Sequence, residues 1–236
     1  MNVLLSQMIS AADPSQVAGL SRFFKTGPGQ YGEGDKFLGI KVPVTRQVVK
    51  ECWREVGLAE LEECMASEFH EVRLAALLTL VELFRHEKSG AGVSRQDCVD
   101  FYLAHTSGIN NWDLVDLSRY PLLGEWLMDK DRSLLYDLAR HGRTIWEQRI
   151  GIVSTMTFIR HGQIEDTFAI ADILLDHPHD LIHKAVGWLL REAGKRDKAA
   201  LEAYLKPRYL SMPRTMLRYA IEKFPEGERL IYLSKI

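Results

Sequence analysis

Much of what would steer this chain toward other classes of protein is absent. Its 236 residues include three cysteines, Cys52, Cys64 and Cys98, with no CxxC pair among them. That excludes a disulfide framework and a cysteine zinc site, and it fits reduced thiols in the cytoplasm. No apolar run is long enough to span a bilayer. The opening MNVLLSQMIS has no basic n-region and no small-residue cleavage site, so no secretion signal is expected. A strong charge of one sign is missing too: the net charge is −2, which taken alone argues against a nucleic-acid binder. Alternating apolar runs bounded by Asn-Gly or Asp-Gly turns are lacking, and with them the usual hairpin signal. No G-x-S-x-G and no Cys–His constellation supports acyl transfer. HEVRL at His70 is not HExxH. His179 and His183 are four apart, but no third ligand lies at a persuasive spacing, so no metal is expected. Gly27, Gly29 and Gly32 form a literal G-x-G-x-x-G. It follows the helical LSRFFKT rather than a strand, so no dinucleotide cofactor is expected either.

What is present is helical periodicity along nearly the whole chain. Asp13-Pro14 reads as an N-cap followed by proline at the first helical position, and Val42-Pro43 opens a second helix. Further runs include HEVRLAALLTLVELFRH, NWDLVDLSRYPLLGEWLM, WEQRIGIVSTMTFIRHG and DLIHKAVGWLLREAGKRD. A faint repeat aligns HEVRLAALL, WEQRIGIVS and LIHKAVGWL, with Arg73, Arg149 and Lys184 in the shared place. The first offset is close to two units of a helical repeat of roughly 40 residues. The fold class read from this is all-α: an α-solenoid of about six HEAT-like helix pairs in one domain, 1–236, with a concave binding face. A globular helical bundle is the alternative. The second helix of each pair lines the concave face, beginning near Phe69, Asn111, Trp146, His179 and Met212.

Charge is unevenly spread despite the balanced total. Glu51 to Glu68 holds six glutamates and one basic residue, Arg54. Lys184 to Arg218 holds nine lysines or arginines against Glu192, Asp197 and Glu202. A chain acidic overall can still present a basic face. Trp112 and Asp116 share one face of one second helix, Arg149 lies on the next, and Trp188 on the one after. Adjacent helices of a solenoid lie about 10 Å apart, so two rings, a carboxylate and a guanidinium are expected to meet on the concave wall.

These segments resemble a known family. FLGIKVP-x-x-R, NWDLVD, IWEQR and LIHKAVGWLLRE, in that order from about Phe23 to Tyr219, look like the AlkD family of bacterial DNA alkylation-repair glycosylases. The resemblance implies HEAT-like repeats and an active site at Trp112, Asp116, Arg149 and Trp188. It implies a monofunctional glycosylase that hydrolyses the N-glycosidic bond of positively charged N3- or N7-alkylated purines in duplex DNA. In such a base the leaving group departs neutral. A carboxylate then suits the oxocarbenium-like sugar and the attacking water, and the tryptophan faces suit a cation. Arg149 would hold a phosphate or the Asp116 carboxylate. Lys41, Arg46, Lys184, Arg191, Arg214 and Arg218 are expected to grip the DNA backbone, with strong salt dependence. The protein is expected to work as a cytoplasmic monomer. Two features differ from the family's best-known member, which resembles WWDTVD at this motif: Asn111 in place of the first tryptophan, and a longer GPGQYGEGDKF loop of a kind associated with a large branch of the family. The alternatives are a non-catalytic helical-repeat module for distorted or branched DNA, and a protein–protein scaffold.

Overall fold

The computed structural model describes residues 2–87 and 92–234. The described residues are helical with no named strand; the one β-type contact is an isolated bridge between Lys36 and Phe69. The chain packs as two compact units, Met1–Leu122 and Leu123–Ile236. No helix among the described residues is long and apolar enough to cross a membrane.

The first unit contains α1 (Val3–Ser10), α2 (Pro14–Phe23), α3 (Val42–Cys52), α4 (Leu58–Met65), α5 (His70–Arg85), α6 (Arg95–Ala104) and α7 (Trp112–Arg119). Helix α5 is the axis. Its apolar residues run round the whole circumference, so it is buried on nearly every side, as such a composition requires. Helices α1, α3, α4, α6 and α7 pack against it. Asp13 accepts from the Ser15 N–H at 3.0 Å with Pro14 at the first helical position, the expected cap of α2. Cys52, Cys64 and Cys98 are free and buried. Burial pushes the Cys98 thiol up to about 12 and that of Cys64 to about 11, which makes both inert core residues.

The loop between α2 and α3 is laid over the N-terminus of α5. Glu71, 2% exposed, accepts backbone N–H bonds from Leu38 (2.9 Å), Gly39 (2.9 Å) and Ile40 (3.0 Å). Gly39 has φ +89°, and a Cβ there would stand 1.9 Å from the Asp13 carbonyl oxygen. Side chains are strained in that backbone region, and a backbone atom gives way less readily than a side chain. Gly39→Ala is therefore expected to destabilise the first unit by about 2 kcal/mol or more, read as a lower urea midpoint. An unchanged midpoint would mean that the loop repacks freely.

The second unit contains α8 (Ser133–His141), α9 (Ile145–Val153), α10 (Met156–Arg160), α11 (Glu165–Ile173), α12 (Asp180–Arg196), α13 (Lys198–Leu205), α14 (Arg214–Ala220) and α15 (Glu226–Leu233). Helix α12 is its axis, with α9, α10, α11, α13 and α14 against it. Arg132 joins the α8 end to α11: it pairs with Asp166 at 2.5 Å and lies over the Phe158 ring at 3.8 Å.

Two runs that read as continuous helices are broken. In NWDLVDLSRYPLLGEWLM the α-helix stops at Arg119 and a π-type turn covers Tyr120–Gly124, because Pro121 has no N–H to give and its ring crowds the preceding turn. In WEQRIGIVSTMTFIRHG the break falls at Ser154 and Thr155. Their hydroxyls bond back to the carbonyls of Ile150 and Ile152, each at 2.7 Å, which competes with regular helix.

Candidate active site

The N-terminus of α7 carries NNWDLVD. Asn111 is fully buried, and its Oδ1 accepts the Trp112 N–H at 2.9 Å. Trp112 is half-buried at the first helical position, and Asp116, also half-buried, follows one turn later on the same side. The Trp112 ring stacks on Phe24 at 5.6 Å and meets Phe23 edge-on at 5.9 Å. Phe23 is 60% exposed, so an aromatic surface open to solvent continues outward from Trp112.

Behind this ring lies a buried ionic cluster. His70, the first residue of α5, is bonded through Nδ1 to Asp35 Oδ2 and through Nε2 to Asp113 Oδ2, both at 2.9 Å. Phe24 and Phe37 flank its ring at 4.7 and 4.8 Å. Arg73, one turn on, reaches Asp35 Oδ1 (2.5 Å), Asn110 Oδ1 (3.0 Å) and the carbonyls of Ser67 (2.7 Å) and Gly108 (3.1 Å). Burial opposes charge on His70, but hydrogen bonds to Asp113 and Asp35 overcome it and push the imidazole up to about 9. Burial also opposes ionisation of Asp35. The His70 bond and the Arg73 charge nonetheless hold its carboxyl below the usual range.

Sequence reasoning misses this cluster. In the sequence HEVR at 70–73 reads as a failed zinc motif and as one copy of the faint repeat, and Asp113 is simply part of NWDLVD. The available signal is the pairing of an HExR segment with acids in the extended loop and in NNWD. The glycine-rich part of that loop uses its own amides: Gly27 N–H donates to Gln30 Oε1 (3.0 Å) and Gly29 N–H to Glu33 Oε2 (2.8 Å).

In the second unit, Arg149 on α9 is 6% exposed, and its Nη1 donates to the Leu181 carbonyl at 2.8 Å. Trp188 lies two turns beyond Leu181 on α12. It lines a cavity of about 420 Å³ with Met156, Ile159, Arg160, Lys195 and Arg196 among its walls. The expected DNA-gripping cations differ in their surroundings. Lys41, Arg46 and Arg218 are exposed. Lys184 pairs with Asp180 at 2.7 Å. Arg191 pairs with Glu192 at 3.1 Å and with Glu222. Arg214 donates to the Leu233 carbonyl at 2.6 Å.

The histidines at the start of α12 serve the backbone. His179 Nδ1 accepts the Leu181 N–H at 3.1 Å, and His177 Nδ1 accepts the His179 N–H at 3.0 Å. Among the described residues no trio of His, Cys, Asp or Glu could hold a metal ion. Burial, with neighbouring histidine charge, lowers the pKa of both rings. The unfolded chain therefore takes up protons first, so this contribution to stability is present above about pH 6.5 and is lost as pH falls. The urea midpoint of the second unit is expected to drop between pH 7.5 and pH 5. His179→Asn, which keeps a capping oxygen that does not titrate, should shrink that drop. An equal drop in the variant would remove His179 from the explanation.

With helices packed against α5 in one unit and against α12 in the other, and an aromatic ring and a carboxylate on one face of α7, the chain is an all-α protein of the helical-repeat class. The chain belongs to the family described as DNA alkylation repair enzyme, whose model matches residues 4–224. It has the fold of a solved structure described as a predicted DNA alkylation repair enzyme from Enterococcus faecalis. That structure is 19% identical, with a TM-score of 0.69, over 91% of this chain and 97% of the other. No curated protein matches. Family membership places the chain in DNA alkylation repair.

Proposed function

We propose that this protein is a monofunctional DNA glycosylase that releases N3- or N7-alkylated, positively charged purines from duplex DNA. The observation that carries the reading is the Trp112–Asp116 pair. One helical turn sets a partly exposed ring and a partly exposed carboxylate side by side, next to exposed Phe23. A cationic base leaves neutral and needs no acid. What requires help is the developing positive charge on the sugar, which an oriented carboxylate and the negative face of an indole both stabilise. Asp116 also orients or deprotonates the attacking water. For the second unit the roles expected from the family resemblance are carried over: Trp188 as a further aromatic face and Arg149 on a phosphate or carboxylate. No lysine stands beside Asp116 in NNWDLVD, which fits hydrolysis without a Schiff-base step. Residues 1–236 are proposed to act as one repair domain, as a monomer in the cytoplasm.

Incubation with a duplex carrying N7-methylguanine is expected to yield the free base and an abasic site, with DNA affinity falling steeply as salt rises. Tight binding without base release would favour a non-catalytic module for distorted DNA. Absence of binding at low salt would favour a protein scaffold.

A further inference from the structure

The cluster behind Trp112 has a composition that packing alone does not require. Asp35, Asp113, His70 and Arg73 are all buried or nearly so. Burying four ionisable groups stabilises less than an apolar core of the same volume, and it is strongly destabilising when one partner is lost. The contacts suit one protonation pattern, with both carboxylates ionised. Asp113 Oδ1 accepts the Leu114 N–H at 2.9 Å, and Asp35 Oδ1 accepts Arg73 Nη2 at 2.5 Å. Each carboxylate is therefore already accepting through the oxygen that His70 does not use. The remaining oxygen of each faces one ring nitrogen of His70. Two acceptors on one imidazole are satisfied only when both nitrogens carry protons. The cluster is then neutral in sum, with two carboxylates, one imidazolium and one guanidinium. Phe24 and Phe37 flank the ring, an arrangement that favours its charged form.

Three separate segments meet on this ring. Asp35 belongs to the loop between α2 and α3, whose Phe24 stacks on Trp112. Asp113 belongs to the first turn of α7, between Trp112 and Asp116. Arg73 ties the same α5 turn to Gly108 and Asn110, just before α7. On α5, Glu71 faces the amides of Leu38, Gly39 and Ile40. The Lys36 ammonium is engaged with exposed Glu68 at 2.6 Å. The charges facing His70 are thus those of Asp35 and Asp113.

We propose that His70 is a positioning residue for base excision: a buried imidazolium, clasped between Asp35 and Asp113, that holds the first turn of α7 and so the Trp112–Asp116 pair. This rests on the reading of Asp116 and Trp112 given above. Loss of the His70 proton leaves two buried carboxylates and a ring with one N–H to serve them. One clasp then opens, and the start of α7 is no longer tied to the loop that backs Trp112.

The test is the pH profile of single-turnover base release from N7-methylguanine duplex at saturating protein, for the wild type and for Asp35→Asn. The substituted amide keeps an oxygen for Arg73 and turns an N–H toward His70 Nδ1, which can accept it only when the ring is neutral; circular dichroism checks the variant's fold. The wild-type rate is expected to hold through neutral pH and to fall on a limb near pH 9. In Asp35→Asn the limb near pH 9 is lost, because one charge that stabilises the imidazolium is gone and the neutral ring then accepts from the amide while donating to Asp113, so no clasp opens as pH rises. The rate at pH 6 stays within about threefold and DNA affinity is unchanged. A merely structural contact would lower the rate at every pH and leave the limb in place. An unmoved limb overturns the proposal. Should the variant not fold, a wild-type profile flat to pH 10 overturns it equally. If the wild type releases no base at any pH, the reading of Asp116 fails. Release with an unmoved limb removes the role of His70 alone.

Discussion

Asp116→Asn lowers the single-turnover rate of base release by about 100-fold or more, while DNA affinity changes little. Removing one oriented group that stabilises transition-state charge costs on the order of 10²–10³ in rate in other enzymes, and Asp116 is proposed to serve both the sugar cation and the water. The substitution keeps size, removes the charge and exchanges one accepting oxygen for a donating NH2. A loss of rate with intact binding therefore separates transition-state stabilisation from ground-state attachment. An undiminished rate in the variant would place the chemistry on another group while leaving the activity itself in place. A parallel loss of binding would make Asp116 a structural residue of α7.

Glu71→Ala is the substitution expected to disturb the fold most. The carboxylate is buried and accepts three backbone N–H bonds from Leu38, Gly39 and Ile40. Alanine leaves three donors without partners, two of them buried, each buried one costing about 1–3 kcal/mol. Part of this is recovered if the loop swings into water, so a net loss of about 3–5 kcal/mol is expected, or a melting temperature lower by about 10 °C. The effect reaches the site, because the same loop supplies Phe24 behind Trp112 and Asp35 beside His70. Glu71→Gln, with one accepting oxygen, should fall between. A melting temperature within a degree or two of wild type for Glu71→Ala would show that the loop holds itself in place.

Local chemistry is readable from the sequence. The Asp13-Pro14 cap, the starts of α5, α7, α9, α12 and α14 and the absence of strand signals all rest on neighbours within one helical turn, and the structure has them. The Trp112–Asp116 pairing on one face follows from a spacing of four. The contacts that hold that pair do not, because they join residues far apart in sequence. His70 meets Asp35 and Asp113 across 35 and 43 positions, and Glu71 reaches back 31 to 33 positions. Nothing in a local pattern assigns those partners. The basic C-terminal half illustrates the same limit. Arg191 and Arg214 count as cations in the sequence, yet they are engaged with Glu222 and with the Leu233 carbonyl. The helix breaks at Pro121 and at Ser154–Thr155 are legible in kind but are outweighed by apolar periodicity on both sides.

The GPGQYGEGDKF loop is tied into the structure beside the candidate site. Its glycine-rich tip bonds to its own Gln30 and Glu33, while Asp35 and Phe37 turn inward to His70. The fully buried Asn111 lies against the same loop, its Nδ2 standing 3.2 Å from where a Cβ on Gly32 would be. A bulkier ring at position 111 would meet that backbone, so the loop and the asparagine belong together.

The central claim is that a cationic base leaves by itself once Asp116 stabilises the sugar. The most direct measurement compares free-base release from two duplexes of one sequence under single-turnover conditions, one carrying N7-methylguanine and the other the uncharged base hypoxanthine. Release of N7-methylguanine by the wild type, with none of hypoxanthine, is the predicted result. Release of neither base, or of both at similar rates, would contradict it.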